Sequence, residues 1–331
     1  MSTSYPLHVG VDIGGTKTLA VLVTPAGEVV GRTTAATPAR QGPAAVLDTA
    51  AGLAGQLLAD EVGTDRATVT GGDRAPAVGA DRATVTVGVG AAGTIDPASG
   101  VVRYATDSLP GWAGTPIADE LTARLTRDLG NRTRLVRVRV DNDVNAAALG
   151  ETWAGAGRGR RHLLLVAAGT GLGGGLIRDG RVEHGARGGA GELAHLPVPG
   201  AEQLRCGCGR YGHLEAIASG TGLGAAYELA TGERISGRVV AERALAGDTA
   251  AEAVLDRAGT ALGRALAGLV TLLDPQAVLV AGGAADALLP AAAAAYPVEL
   301  PPAWADVPLL PAALGSDSVA VGAARLAMED L

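Results

Sequence analysis

Phenylalanine is absent from this chain of 331 residues, and aromatic side chains make up only 2% of it. Any core must therefore be assembled from Ala, Val and Leu. Cysteine is nearly as scarce. Cys206 and Cys208, the only two, stand one residue apart. They do not make a disulfide framework, and their spacing suits a metal better. A protein of the reducing cytoplasm fits that usage. Long apolar runs are missing too. The Ala-rich stretch 288–295, punctuated by Pro290 and Pro297, is too short to cross a bilayer. The N-terminus has no basic region followed by an apolar core, so no secretion signal is expected. Basic clusters are missing as well, and the net charge is −7. Binding to nucleic acid through a broad phosphate-contacting face is therefore not expected.

What remains is a chain that is 47% hydrophobic, enough to bury a large core, and long enough for two domains. Strand-like segments at 7–13, 19–24, 84–89 and 135–140 alternate with helix-like ones at 44–59, 117–129 and 144–153, and 28–34 extends the first pairing. The cycle restarts with strands at 162–167 and 174–178, a long helix at 253–273, a strand at 277–280 and a last helix at 318–328. Alternation of this kind predicts largely parallel sheets with crossover connections. The hexapeptide Asp-Arg-Ala-Thr-Val-Thr occurs at 65–70 and again at 81–86. Two copies at short range are a duplicated insertion rather than a solenoid. The first copy is expected in a surface loop and the second at the start of a strand.

Four segments carry chemistry. In Val11-Asp12-Ile13-Gly14-Gly15-Thr16-Lys17-Thr18 an apolar strand ends in an acid, two glycines, a hydroxyl and a lysine. Glycines let backbone N–H groups approach an anion closely, and Asp12 at the strand end suits a hydrated Mg²⁺. A second glycine loop, Gly169-Thr170-Gly171-Leu172-Gly173-Gly174-Gly175, repeats the device, which suggests two α/β lobes that each offer a phosphate loop to a shared cleft. Asp141-Asn142-Asp143 follows a strand and precedes a helix, where open α/β sheets place ligands. A carboxylate there can take a hydroxyl proton during attack on phosphorus, and the Asn142 amide can bind a neighbouring hydroxyl from either end. These residue types are equally preferred as helix N-caps, and the sequence leaves both readings open. Finally, His195, Cys206, Cys208 and His213 make a four-ligand N₂S₂ set suited to a closed, structural Zn²⁺ site. Unliganded cysteines and surface histidines are the other reading. Zinc would fix the loop that carries Glu192, His195 and Glu215.

In this order the segments resemble the ROK family of sugar kinases and sugar-responsive repressors, nearly end to end. The strongest parts are Asp12 to Lys17, Asn142-Asp143 with Asn145-Ala146-Ala147, the second glycine loop, Gly191-Glu192-Leu193-Ala194-His195, and Cys206-Gly207-Cys208-Gly209-Arg210-Tyr211-Gly212-His213-Leu214-Glu215. The resemblance implies an actin-like ATPase (ribonuclease H-like) α/β fold of two lobes around a central cleft. The lobes are expected at 1–140 with 316–331, and at 141–315. It implies an ATP-dependent kinase acting on the 6-hydroxyl of a hexose, glucose first, with Asp143 as the base. Asn142, Glu192, His195 and Glu215 would hold the other hydroxyls, with Gly93 and Ser108 beside them, and His195 would also bind zinc. Gly14, Gly15, Thr16, Lys17, Gly169, Thr170 and Gly171 would hold the ATP phosphates, with Mg²⁺, and Gly282 and Gly283 the adenosine. With so few aromatics, the sugar must be held by hydrogen bonds rather than stacking. The family also implies a homodimer or homotetramer.

Two departures stand out. His213 occupies a position that is usually a third cysteine, and histidine is a competent zinc ligand. Ser108 precedes Leu109-Pro110-Gly111-Trp112 where many relatives carry Asn. This leaves room for a modified hexose such as N-acetylmannosamine, N-acetylglucosamine or kanosamine. The repressors carry a helix-turn-helix domain before the phosphate hairpin. Here the first strand is expected about seven residues in, which favours the enzyme.

Overall fold

Apolar residues in continuous runs build two sheets of the same design. The structure, a computed structural model, describes residues 6–67, 83–105, 109–129 and 133–329, and the chain divides into two units, Met1–Ala154 with Ser316–Leu331, and Gly155–Gly315. In the first, β1 (Leu7–Ile13), β2 (Lys17–Val23) and β3 (Val29–Ala36) form an antiparallel meander. Then come α1 (Pro43–Ala67), β4 (Ala83–Ala91), a small hairpin of β5 (Thr94–Asp96) and β6 (Val101–Tyr104), α2 (Ile117–Leu129), β7 (Thr133–Asn142) and α3 (Asp143–Ala154). The sheet order is β3-β2-β1-β4-β7, with β1, β4 and β7 parallel. Its core is Val9, Val11 and Ile13 against Leu47, Leu58, Val87, Val89 and Leu125, closed by the buried Trp112.

The second unit repeats the plan. It runs β8 (Leu163–Ala168), β9 (Leu172–Arg178) and β10 (Arg181–Val182), then α4 (Glu215–Ala218), α5 (Gly220–Thr231), α6 (Gly237–Leu245) and α7 (Thr249–Leu273), then β11 (Ala277–Ala281), α8 (Ala285–Glu299) and β12 (Leu309–Pro311). The order β10-β9-β8-β11-β12 copies the first sheet, antiparallel for three strands and parallel for the rest. In the absence of Phe, Leu164, Val166, Leu262, Leu266, Val278 and Val280 fill this core with the buried Tyr227 and Tyr296.

The last helix, α9 (Ser318–Met328), corrects the expected boundary. It returns to the first unit and lies directly on backbone. A Cβ on Gly88 would stand 1.6 Å from Ala323 O, and one on Gly322 1.7 Å from Ala146 O on α3. Glycines thus clamp α9 to the sheet and α3 to α9. For that reason α3, with Asp143, belongs to the first unit, which ends at Ala154 rather than at residue 140.

Three local readings also change. Helix α1 runs to Ala67, so residues 65–67 of the first hexapeptide copy are helical rather than loop, and the rest of that copy lies outside the described residues. The Ala-rich stretch is helix α8, with Pro290 and Pro297 inside it. Leu288, Ala292 and Tyr296, spaced by four, bury one face, and Gly259 and Gly263 of α7 let the two backbones touch. Packing outweighs the proline penalty here. Strand β4, expected at 84–89, runs on to Ala91. Among the described residues no helix is long and apolar enough to cross a membrane.

Candidate active site

The first hairpin is closed by Gly14, whose N–H donates to Lys17 O at 3.1 Å. That donor is engaged, so among Gly14, Gly15, Thr16 and Lys17 the backbone offers an anion the N–H groups of Gly15 and Thr16, which meet no acceptor among the described residues. Thr16 and Lys17 are exposed at the tip.

Strand register brings the acidic residues to one edge of this sheet. Asp12 pairs with Gly90, and Gly90 with Asp141. A Cβ on Gly90 would meet Val319 Cγ1 at 2.4 Å and lie 3.5 Å from Asp143 Cα. Glycine here lets Val319 of α9 and Ala146 of α3 pack onto the strand end. Burial pushes the Asp12 carboxyl up to about 7, the Asp143 charge pushes it the same way, and Lys17 pulls it back. A carboxyl in that state is relieved by a cation. The donor set, hard oxygen at a strand end beside a phosphate-type hairpin, fits Mg²⁺.

The tripeptide resolves into three roles. Asp141 is buried, and its Oδ1 accepts from Asn142 N–H at 2.7 Å and from Asn145 Nδ2 at 2.9 Å. It builds the corner. Asn142 is the helix cap, its Oδ1 accepting from Val144 N–H at 2.8 Å and Asn145 N–H at 3.2 Å, and its Nδ2 donates to Gly93 O at 3.0 Å. Two backbone donors fix the orientation of the amide and fill its oxygen. Asn142 can therefore address a ligand only as a donor through Nδ2, not from either end. Gly93, at φ +108° with Tyr104 O 2.4 Å from any added Cβ, contributes its carbonyl to that amide. Asp143 opens α3, its Oδ1 accepting from Val144 N–H at 2.9 Å.

In the second unit Gly169 N–H donates to Gly171 O at 2.9 Å, which leaves the exposed Thr170 and Gly171 to present their N–H groups. The start of α5 supports this turn. Gly220 N–H donates to Gly169 O at 2.8 Å and Thr221 N–H to Thr170 O at 3.1 Å. Gly282, at φ +98°, packs on the same strand end, where a Cβ would meet Ala168 O at 2.3 Å. Gly283 beside it is open.

The segment between β10 and α4 brings the sulfur and imidazole groups together. One ligand atom each from His195, Cys206, Cys208 and His213 lies within 4.8 Å of every other. Cys206 Sγ is 3.7 Å from His195 Nδ1, and Cys208 Sγ 3.3 Å from His213 Nδ1. Zn–S bonds of about 2.3 Å and Zn–N bonds of about 2.0 Å set a tetrahedral S···N edge of roughly 3.6 Å, so the residues fit zinc. Burial pushes the Cys206 thiol up to about 12, and a bound cation reverses that by stabilising the thiolate. With Nδ1 turned to Cys206, His195 presents Nε2 on the side of Glu192, whose Oε2 is 4.0 Å away. Glu192 is exposed. Glu215 lies between the Cys loop and the glycine turn, an arrangement that sequence spacing does not disclose. Ser108 lies outside the described residues.

The ROK family model matches residues 75–330, and the chain belongs to the ROK family. It is 32% identical over 294 residues to a glucokinase of Halalkalibacterium halodurans, covering 85% of this chain and 81% of that one. Among solved structures, it is similar to a ROK hexokinase from Thermus thermophilus, at TM-score 0.75 and 32% identity over 97% of this chain and 98% of that one. It is also similar to a ROK glucokinase from Streptomyces griseus in complex with glucose and AMPPNP, at TM-score 0.72 and 31% identity over 98% and 99%. The two α/β units are those of an actin-like ATPase fold.

Proposed function

We propose that this protein is an ATP-dependent hexokinase that transfers the γ-phosphoryl group of ATP to the 6-hydroxyl of a hexose, glucose foremost. The observation that carries the reading is the acidic edge of the first sheet, where strand register sets Asp12, beside the phosphate hairpin, level with Gly90 and Asp141, and Asp143 opens α3 two residues on. The likeness to glucokinases along most of the chain supports the same reading.

In this mechanism Asp143 accepts the proton of the sugar hydroxyl as its oxygen attacks phosphorus, and ADP leaves. Asn142 donates through Nδ2 to a neighbouring hydroxyl. Glu192, His195 and Glu215 hold further hydroxyls, with Gly93 and Ser108 beside them. Gly15 and Thr16, with Lys17, and Thr170 with Gly171 receive the phosphates, and Gly282 and Gly283 lie by the adenosine. Asp12 would hold Mg²⁺, which neutralises phosphate charge when bound. Zinc on His195, Cys206, Cys208 and His213 is structural, because four protein ligands leave no open position. The reading extends to a cytoplasmic homodimer or homotetramer, on the pattern of the family.

A panel of hexoses assayed with ATP and Mg²⁺ tests the reading. Glucose is expected to give the highest kcat/KM and a 6-phosphate product. A higher value for N-acetylmannosamine, N-acetylglucosamine or kanosamine would reassign the substrate, with Ser108 the first residue to examine. Failure to phosphorylate any sugar would overturn the kinase reading.

A further inference from the structure

Glu215 engages two separate loops at once. Its Oε2 accepts from Leu172 N–H at 3.2 Å, at the end of the glycine turn 169–171. Its Oε1 accepts from Gly207 N–H at 3.3 Å, with Cys206 Sγ at the same distance. The carboxylate lies flat against two glycines. A Cβ on Gly171 would come within 3.0 Å of Oε2, and one on Gly207 within 3.1 Å of Oε1. At either position a methyl would press on the same carboxylate.

Backbone bonds make the assembly stiffer. Glu215 opens α4, two residues after His213. The chain then passes through Ser219, which caps α5 by accepting from Gly222 N–H, and Gly220 and Thr221 donate to the carbonyls of Gly169 and Thr170. Residues 215–221 therefore hold the turn from both sides, by carbonyls at one end and an N–H at the other. The remaining end of this strut is the Cys206–Gly207 loop. A carboxylate is the only common side chain that offers acceptors in both directions here. The corresponding amide would point an N–H at either Leu172 or Gly207.

We propose that Glu215 is a positioning residue for the nucleotide: it couples the Cys206–Cys208 loop to the phosphate-facing turn 169–172, so that the state of that loop sets the affinity for ATP. This rests on the kinase reading above and adds to it, since holding a sugar hydroxyl does not by itself require Leu172 or Gly207.

The test is calorimetric titration of the full-length protein with Mg·ADP, in the absence of sugar. Wild type is compared with Glu215→Gln and Gly207→Ala. The second variant touches neither nucleotide nor turn, but its methyl displaces the carboxylate, and it decides the matter alone if the first does not fold. Both are expected to bind Mg·ADP about fivefold or more weakly, with faster amide exchange across 169–172 and a raised KM for ATP. Wild-type affinity in Gly207→Ala overturns the proposal, whether or not Glu215→Gln is impaired. If wild type itself fails to bind Mg·ADP, the kinase reading falls first and this inference with it.

Discussion

The two sheets share one strand order and one pattern of directions, yet their carboxyl edges carry different chemistry. In the first unit β1 carries Asp12 one residue before its end, β7 ends in Asp141 and Asn142, and Asp143 opens the helix that follows. In the second the matching strands, β8 and β12, end in Ala168 and Pro311, which are neutral. The connections differ too. Residues 37–42 link β3 to α1, whereas residues 183–214 stand between β10 and α4 and carry Glu192, His195 and the cysteine loop. The topology fixes where a ligand meets the sheet. The residue at the strand end decides whether that edge acts as an acid and base or as a passive cradle of N–H groups. One copy of the fold holds the carboxylates, and the other holds backbone and a longer connection that carries the cysteines and histidines.

That division can be broken at its charged side first. Replacing Asp12 by Ala should lower kcat/KM on the order of 10²–10³-fold, because the carboxyl at the foot of the phosphate hairpin is lost. Steady-state kinetics at saturating Mg²⁺ read the effect. Activity near wild type would mean that the cation is held elsewhere.

The inserted loop of the second unit gives the next largest effect. His213→Ala should lose the metal and lower the melting temperature by several degrees, since structural zinc contributes folding energy. His213→Cys should keep both. Elemental analysis alongside calorimetry checks the pair. Wild-type protein prepared without chelator and free of zinc would refute the site.

Glycine substitutions then compare the two edges directly. Gly90→Ala places a methyl 2.4 Å from Val319 Cγ1 and should cost about 1–3 kcal/mol by overpacking, with a loss of turnover as Asp143 shifts. Gly283→Ala meets nothing within 4 Å and should stay within about 0.5 kcal/mol. Equal effects would erase the distinction. Chemical denaturation measures both.

The smallest signal is in pH. Asp12 is raised from 3.8 to about 7, so the folded state holds its proton more tightly than the unfolded chain. Its contribution is therefore a destabilisation that grows as pH rises from about 4 to about 7 and is constant above. Mg²⁺ competes with that proton. Calorimetry in buffers of different ionisation enthalpy should find proton release on Mg·ADP binding at pH 6 and almost none at pH 8.5.

Much of this was readable from residues alone. Helix α2 falls on 117–129 as its spacing required, and the two glycine hairpins lie where apolar runs broke. Other elements hide for definable reasons. Strand β12 is three residues ending in Pro311, an edge position where a missing N–H is harmless. Helices α5 and α6 are short, and Gly220, Gly222 and Gly224 obscure the period of the first. Helix α8 contains two prolines that ordinarily end a helix. At the site, residue types pointed to Asp143 and the metal set. The cap role of Asn142 is local and was one of the two readings its residue type allowed, but its bond to Gly93 O and the reach of Glu215 to Leu172 join segments more than forty residues apart, which no local pattern encodes.

The most direct measurement is made on Asp143→Ala. Glucose binding by calorimetry and phosphoryl transfer by a coupled assay are followed on the same preparation. The account predicts a fall in kcat of about 10²–10⁴-fold, with the glucose dissociation constant changed by no more than several-fold. Turnover close to that of the wild type would contradict it.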